Sequence, residues 1–276
     1  MYTSILGKMV AAFAVAVSLI FIAAGCDMNP TPGFGTMEVR LHDAPGEFEE
    51  VNVYVKRVEV NREDSGEGWI TINEPEKHID LLKLVNGNYE VLGEAELEAG
   101  TYHQIRLILG NENNLVIDGE TKDLFVPSGQ DTGVKLNINT TIHEGEEIMI
   151  LLDFNVEKSI VMAGPPQEPV KYLLKPVIRA SNFANTGNIA GVVTPAEARP
   201  VVRAISSESD TISVTFADSQ SGEFKLIGLP EDSYTVSIQP RADGFEKKDI
   251  ENVTVNVQET TDLEEIELTA TDANND

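Results

Sequence analysis

Three aspartates adjoin or lie inside apolar, strand-like runs: Asp43 in "RLHDAP", Asp80 in "HIDLLKL" and Asp153 in "MILLDF". A buried carboxylate must be neutral, hydrogen-bonded, paired with a cation or bound to a metal. We expect structural pairing or backbone hydrogen bonds, and we keep a cation site as the alternative, where oxygen ligands would suit calcium. Basic residues in similar runs are the candidate partners: Arg106, Lys175 and Arg179.

Asp43 has a second, purely local interpretation. It begins the segment Asp43-Ala44-Pro45-Gly46, in which an Asp side chain can accept from the backbone while Pro fixes the next dihedral angle. In that case the carboxylate would stabilise a turn and would not belong to a site.

Motifs for catalysis are missing from the sequence. It contains no HExxH, no G-x-S-x-G and no glycine-rich phosphate loop, which are the patterns that mark zinc proteases, serine hydrolases and nucleotide-binding proteins. The histidines show no ligand spacing, and a pairing of His78 with Asp80 on one strand face is the weak exception. We therefore predict a protein that is not an enzyme and that needs no cofactor and no metal. The histidines are His42, His78, His103 and His143.

The only cysteine, Cys26, stands where an apolar run ends. Lys8 precedes the run from Met9 to Ala24, which is shorter than the roughly 20 residues of a spanning helix and has the layout of a cleaved leader. The tetrad Ala23-Ala24-Gly25-Cys26 resembles the lipobox of bacterial lipoproteins, although Ala23 stands where Leu is usual. The resemblance implies cleavage after residue 25 and lipid on Cys26. An ordinary secretory leader or an uncleaved anchor helix are the alternatives.

Composition excludes some partners. The net charge is −26, and such an acidic chain repels nucleic-acid phosphates and anionic lipid headgroups. We therefore expect no nucleic-acid partner and no membrane contact other than the lipid on Cys26. One cysteine cannot form a disulfide within the chain, so an apolar core must hold the exported part together.

From Gly35 onward the apolar residues alternate with period two, which indicates β-strands. In "VNVYVKRVEV" the alternation slips near Lys56-Arg57, which predicts a β-bulge. In "LVIDGETKDLFV" the pair Asp118-Gly119 predicts a hairpin turn. In "EIMILLDF" the residues on both faces of the strand are apolar, which predicts a central strand covered on both faces.

These signals predict an all-β fold of two tandem β-sandwich domains. Small polar residues from Ser181 to Gly187 mark the boundary, and about seven strands follow it. We expect a leader over 1–25, a flexible tether over 26–35, domains over 36–182 and 187–270, and a disordered tail over 271–276.

Both predicted domains resemble known families. Residues of about 36–180 resemble the envelope family called domain of unknown function 4382, through "LHDAP", "VNVYVKRVEV", Trp69, "IDLLKL", "LEAGTYHQIRLIL", "DFNVEKSI" and "LLKPVIR". Residues of about 187–269 are similar to carboxypeptidase-regulatory-like, prealbumin-type sandwiches, through "GNIAGVV" and "DSQSGEFKLIGLPEDSYTVSI". The first resemblance implies no established activity, and the second implies a non-catalytic accessory module.

The expected function is that of a lipid-anchored cell-envelope protein with a binding or structural role toward an unknown protein or glycan. A carbohydrate-binding protein is the alternative, and it would need exposed aromatic rings on which sugars could stack. The chain offers one Trp and six Tyr for that purpose.

Overall fold

Most of the residues that the structure describes are in β-strands, as the alternating pattern predicts. The structure is a computed structural model that describes residues 33–44, 46, 48–62, 68–127, 133–164 and 171–271. The predicted leader, most of the tether, Cys26 and nearly all of the tail lie outside the described residues. The all-β prediction is confirmed by twenty strands.

Thirteen strands belong to the first half of the molecule. They are β1 (Phe34–Ala44), β2 (Glu50–Arg62), β3 (Trp69–Asn73), β4 (Lys77–Asp80), β5 (Glu90–Glu98), β6 (Gly100–Leu109), β7 (Asn114–Ile117), β8 (Glu120–Phe125), β9 (Val134–Ile142), β10 (Glu147–Asn155), β11 (Ile160–Ala163), β12 (Lys171–Leu174) and β13 (Ile178–Asn182).

Seven strands form the second half, which matches the expected number. They are β14 (Thr186–Thr194), β15 (Val201–Ile205), β16 (Thr211–Phe216), β17 (Glu223–Pro230), β18 (Asp232–Gln239), β19 (Lys248–Val255) and β20 (Thr260–Glu267).

Helical segments are short and sit at strand ends. A four-residue helix, α1 (Val156–Ser159), follows β10, and its N-cap Asn155 accepts from the Lys158 amide. Three single 3₁₀ turns cover Leu81–Lys83, Phe183–Asn185 and Ala196–Ala198. None is long enough to add a layer, so the cores lie between sheets.

The first half is a sandwich of two sheets. Sheet A has the strand order β13-β10-β1-β5, with β1 and β10 parallel. Sheet B has the order β11-β12-β8-β7-β2-β6-β9, and β3 and β4 pair with the far side of β2. One apolar cluster joins them, with Met37 and Leu41 from sheet A and Val58 and Ile105 from sheet B fully buried.

The second half is a smaller sandwich with its own apolar cluster. Sheet C has the order β17-β14-β20 and sheet D the order β16-β15-β18-β19. Ile189 and Leu226 from sheet C pack in one cluster with Val202 and Val236 from sheet D, and all four are fully buried. In each sandwich a buried Tyr donates to the carbonyl four residues earlier, Tyr102 to Glu98 and Tyr234 to Pro230. Burial raises the pKa of both phenols.

Two local signals are confirmed. The pairing of β2 with β6 shifts register between Val55 and Arg57, which is the bulge expected at Lys56-Arg57. β7 and β8 form the expected hairpin, in which Ile117 faces Glu120. Asp118 and Gly119 between them both have positive φ, as the tightest hairpin turn requires.

Two predicted boundaries differ from the structure. β1 begins at Phe34, so Phe34 and Gly35 belong to sheet A and not to the flexible tether. Gly35 fits there because it lacks a side chain: a Cβ would lie 2.5 Å from Ile142 Cγ2. The small polar segment from Ser181 to Gly187 is also ordered structure, because the 3₁₀ turn of Phe183–Asn185 joins β13 directly to β14.

Independent folding of the second sandwich stays a prediction. Its apolar cluster is formed by residues between Ile189 and Leu268, so a fragment of residues 185–270 contains a complete core. We expect that fragment to unfold in one cooperative thermal transition followed by circular dichroism. A broad, non-cooperative melt or insolubility would show that the second sandwich depends on the first.

Candidate functional site

Asp153 lies in a row of three polar residues that crosses sheet A. His42 of β1 is paired in register with Asp153 of β10, and Asp153 with Arg179 of β13. Partners in register share a face, and Leu41 and Leu152 beside them point to the core, so the row lies on the opposite face. His42 is fully buried and Asp153 is 6 % exposed. The outer face of sheet A is therefore covered here.

The second sandwich provides that cover. Leu151, on the same face as Asp153, is 1 % exposed although it belongs to neither apolar cluster. Gly228 of β17 lies against it: a Cβ at this glycine would be 2.6 Å from Leu151 Cδ2. Gly228 also has a φ of +70°, a conformation that a side chain strains. A glycine is thus required at this contact on two counts.

Arg179 links the two sandwiches. Its Nη2 donates to Asp153 Oδ2 at 3.1 Å, and its Nη1 donates to the carbonyl oxygen of Gly228 at 2.8 Å. The guanidinium thus joins a carboxylate of the first sandwich to the backbone of the second. The side chain of Asp153 is only 7 % exposed and that of Arg179 is 30 % exposed, so the carboxylate is the poorly solvated partner of this charge pair.

A second contact between the sandwiches uses the turn before β5. The amide of Asn86 donates to Thr215 Oγ1 at 2.9 Å, and its Nδ2 donates to the carbonyl of Glu223 at 3.2 Å. Asn86 has a φ of +57°, which Asn tolerates better than most residues. We call these contacts the joint: Asn86, Leu151, Asp153 and Arg179 on one side, and Thr215, Glu223 and Gly228 on the other.

His42 is the third member of the polar row and lies beside Asp153 of the joint. Its Nδ1 lies 2.8 Å from the carbonyl oxygen of Asn88, which fits an N–H donor at that position. Burial lowers the pKa of His42 below 6.5, and the charge of Asp153 offsets the shift only in part. The imidazole is therefore uncharged at neutral pH.

The row does not form a hydrolytic triad with Ser181. Ser181 lies on β13 in register with Leu151, two strands away from His42. Two strand spacings amount to about 10 Å, which is beyond hydrogen-bond reach. What the row does make is a contact between the sandwiches, through Arg179.

Asp80 and Asp43 lie elsewhere. Asp80 ends β4 and caps the following 3₁₀ turn, where its Oδ1 accepts from the Leu82 amide at 3.2 Å. Its Oδ2 is 3.1 Å from Lys83 Nζ. Asp43 is fully buried near the end of β1, and the turn considered above includes Pro45, which lies outside the described residues. Asp43 alternates with His42 and thus points to the face opposite Asp153.

The three aspartates therefore do not converge on one site. Within the described residues, no group of three or more His, Cys, Asp or Glu side chains could hold a metal ion. Of the basic partners considered, Arg179 contacts Asp153, Arg106 instead pairs with Glu59, and Lys175 is exposed. Sequence reasoning missed Asn86 and Gly228, for which the only local signals were an Asn-Gly pair and a glycine inside a strand.

The remaining histidines have separate neighbours. His78 packs edge-on against Tyr54 with ring centroids 5.0 Å apart, and its Nε2 lies 2.8 Å from the carbonyl oxygen of Glu112. His103 Nδ1 is 2.9 Å from Asn139 Oδ1. His143 is exposed, and its backbone amide donates to Glu146.

A family model described as "Domain of unknown function (DUF4382)" matches residues 34–176, more than half of the 276-residue chain. The chain belongs to this family. The match covers β1 to β12 of the DUF4382 sandwich and includes His42 and Asp153. It stops before Arg179, the residue that ties this sandwich to the next. No curated protein matches the chain.

Solved structures give only distant likenesses. A type II cohesin–X-dockerin complex from Acetivibrio cellulolyticus is 20% identical over 30% of this chain and 58% of that one, with a TM-score of 0.24. The Bacillus anthracis TIE protein is 14% identical over 86% of this chain and 34% of that one, with a TM-score of 0.22. GBS52, the minor pilin of Streptococcus agalactiae, is 10% identical over 87% of this chain and 98% of that one, with a TM-score of 0.26. The chain thus spans about three fifths and one third of the first two, and likenesses at these scores carry no argument about function.

Replacing Asp153 by Ala should destabilise the protein. The change removes the charge partner of Arg179 at the contact between the sandwiches, which costs on the order of 1–3 kcal/mol in the free energy of unfolding. Urea unfolding measures it. Asp249→Ala is the control, because its ion pair with Lys247 is 42–48% exposed and should contribute within about 0.5 kcal/mol. Equal effects of the two changes would contradict a structural role for the joint.

The buried His42 should make stability depend on pH. Its pKa is lowered from 6.5 in the folded protein, so below that pH the unfolded chain binds a proton that the folded chain resists. The free energy of unfolding should therefore fall as pH falls from about 7.5 to about 5.5, and less so in His42→Asn. Thermal melts at both pH values measure this. His143→Asn, at an exposed position, should show the same dependence of stability on pH as wild type. If His42→Asn also showed the wild-type dependence, His42 would not be its source.

Proposed function

We propose that this protein is a non-catalytic, lipid-anchored component of the bacterial cell envelope, in which two joined sandwiches form a binding or structural module. The observation that carries the proposal is the position of the lone Cys26, directly after the apolar run and small residues of a leader. A thiol in that position serves as an attachment point for lipid, and the chain has no second cysteine with which it could pair.

Within the described part of the chain, no helix is both long and apolar enough to cross a bilayer. The acidic surface, part of a net charge of −26, would be repelled by anionic headgroups. Stable attachment by lipid needs more than one acyl chain. Acylation of both the Cys26 sulfur and the new amino terminus would provide these acyl chains.

The first sandwich would be held close to the membrane. Residues 27–33 are the seven positions between Cys26 and the start of β1 at Phe34. A fully extended segment of this length spans at most roughly 25–30 Å. The DUF4382 sandwich would therefore stand near the headgroups, with the second sandwich attached to it through the joint.

A non-catalytic role is supported by what the buried polar residues do. Asp153, His42 and Arg179 are the combination most suggestive of chemistry, and His42 and Asp153 are buried while Arg179 is half-buried. Arg179 uses both of its terminal nitrogens there, for Asp153 and for Gly228. Such an arrangement favours a fixed orientation of two modules over turnover of a substrate.

Lipid attachment can be tested in a bacterial host by metabolic labelling with a radioactive fatty acid. We expect wild type to be labelled and found with membranes, and Cys26→Ser to be unlabelled because it lacks the acceptor sulfur. Met28→Ser is the matched control, since it changes a neighbouring residue but keeps the thiol, and it should be labelled. Soluble wild-type protein with an unmodified Cys26 in intact-mass measurement would defeat the proposal.

A further inference from the structure

The outer face of sheet B carries two adjacent rows of polar residues that cross four strands. In both rows the strand order is β3, β2, β6, β9, and the partners are in register. The first row is Trp69, Asn61, Gln104 and Asn137, and the second is Thr71, Glu59, Arg106 and Lys135. We call these eight residues the Trp69 platform.

The platform faces away from the core. The residues that alternate with its members, such as Val60, Ile105 and Leu136, belong to or pack against the apolar cluster of the first sandwich. Seven platform residues are half-buried or exposed, and only Glu59 is buried. Three spacings between four strands give the rows a length of roughly 14 Å, which can accommodate more than one sugar ring.

Trp69 is the only tryptophan of the chain, yet it lies on this outer face and not in a core. The guanidinium carbon of Arg106 is 4.4 Å from the centre of its ring, and Lys135 Nζ is 5.7 Å from it. Arg106 is held in turn by Glu59, which also binds Arg57 at 2.9 Å. The ring is therefore held in place before any ligand arrives, which lowers the entropy cost of binding.

Three amides continue the row that begins at Trp69. Gln104 Nε2 donates to Asn137 Oδ1 at 3.1 Å, and Asn61 Nδ2 donates to the carbonyl of Gly68 at 3.0 Å. Each primary amide offers two N–H donors and an oxygen that can accept twice, so each has further positions beyond these contacts. Donors and acceptors side by side match vicinal hydroxyl groups, which both donate and accept.

Charge favours a neutral ligand. Two of the three cations here have carboxylate partners within the protein: Arg57 contacts Glu59 and Glu74, and Arg106 contacts Glu59. The third, Lys135, lies near the Trp69 ring. The chain as a whole carries −26 and repels polyanions. An ordinary solvated sheet face would also be polar, but it would not need the only tryptophan beside three amides in register.

We propose that the Trp69 platform binds a neutral polysaccharide, with the apolar face of a sugar ring on the Trp69 indole and its hydroxyls on Asn61, Gln104 and Asn137. The inference builds on the proposed function, because it names a ligand class for the binding module. It does not depend on the lipid: a labelled, membrane-bound protein that ignores glycans would refute the platform alone.

Tryptophan fluorescence offers a direct test, since all of it comes from Trp69. The purified full-length chain in detergent is titrated with soluble dextran, mannan and laminarin, and with alginate as the anionic comparison. At least one neutral probe should shift the emission. Electrophoresis through gels containing that polysaccharide measures binding by the retardation of the protein. There Trp69→Ala should bind at least about tenfold more weakly than wild type, which corresponds to about 1.4 kcal/mol.

Two further variants keep the result interpretable. Gln104→Ala retains the fluorophore and should weaken binding several-fold with an unchanged thermal melt. Tyr89→Ala is the matched control, because Tyr89 is 43% exposed and has Arg40 4.1 Å from its ring, but lies outside the platform; it should bind like wild type. No response to any of the three neutral probes, tighter binding of alginate, or equal losses in Tyr89→Ala would each overturn the proposal.

Discussion

The covering of sheet A on both faces is the constraint on which the rest of the molecule depends. Its central strand, β10, is apolar on both parities, so one face would be left in water if the first sandwich stood alone. The second sandwich removes Leu151 from solvent and encloses Asp153 in the same step. An enclosed carboxylate needs a cation, and Arg179 supplies it from the neighbouring strand. The joint thus follows from the apolar outer face of β10.

Arg179 also explains why the two halves meet in one orientation. Burial of Leu151 is non-directional and would tolerate small rotations of one sandwich on the other. The hydrogen bonds from Arg179 to Gly228 and from Asn86 to Thr215 and Glu223 are directional. They therefore specify the orientation of the contact. This division of roles is common where polar groups are buried among apolar ones.

Much of this architecture could be predicted from local patterns. The slip at Lys56-Arg57, the Asp118-Gly119 turn and the two-sided apolar run of β10 are each decided by residues within one strand or turn. The covering partner of β10 could not be predicted, because Gly228 is 77 positions after Leu151 and a glycine in a strand has several explanations. The Trp69 platform could not be predicted from the sequence for a related reason. Its rows depend on the register of four strands, and one residue of slip would send Trp69 to the other face.

In this acidic chain the basic residues are few, and two of them have identifiable roles. With 20 Lys and Arg against 46 Asp and Glu, a cation can find a carboxylate almost anywhere, so pairing alone explains little about position. Arg179 and Arg106 each contact something besides a carboxylate: a backbone carbonyl for Arg179 and the indole of Trp69 for Arg106. In both cases the carboxylate orients the guanidinium and the second contact uses that orientation. At Arg179 the result is a joint between sandwiches, and at Arg106 it is an aromatic ring held ready on an open face.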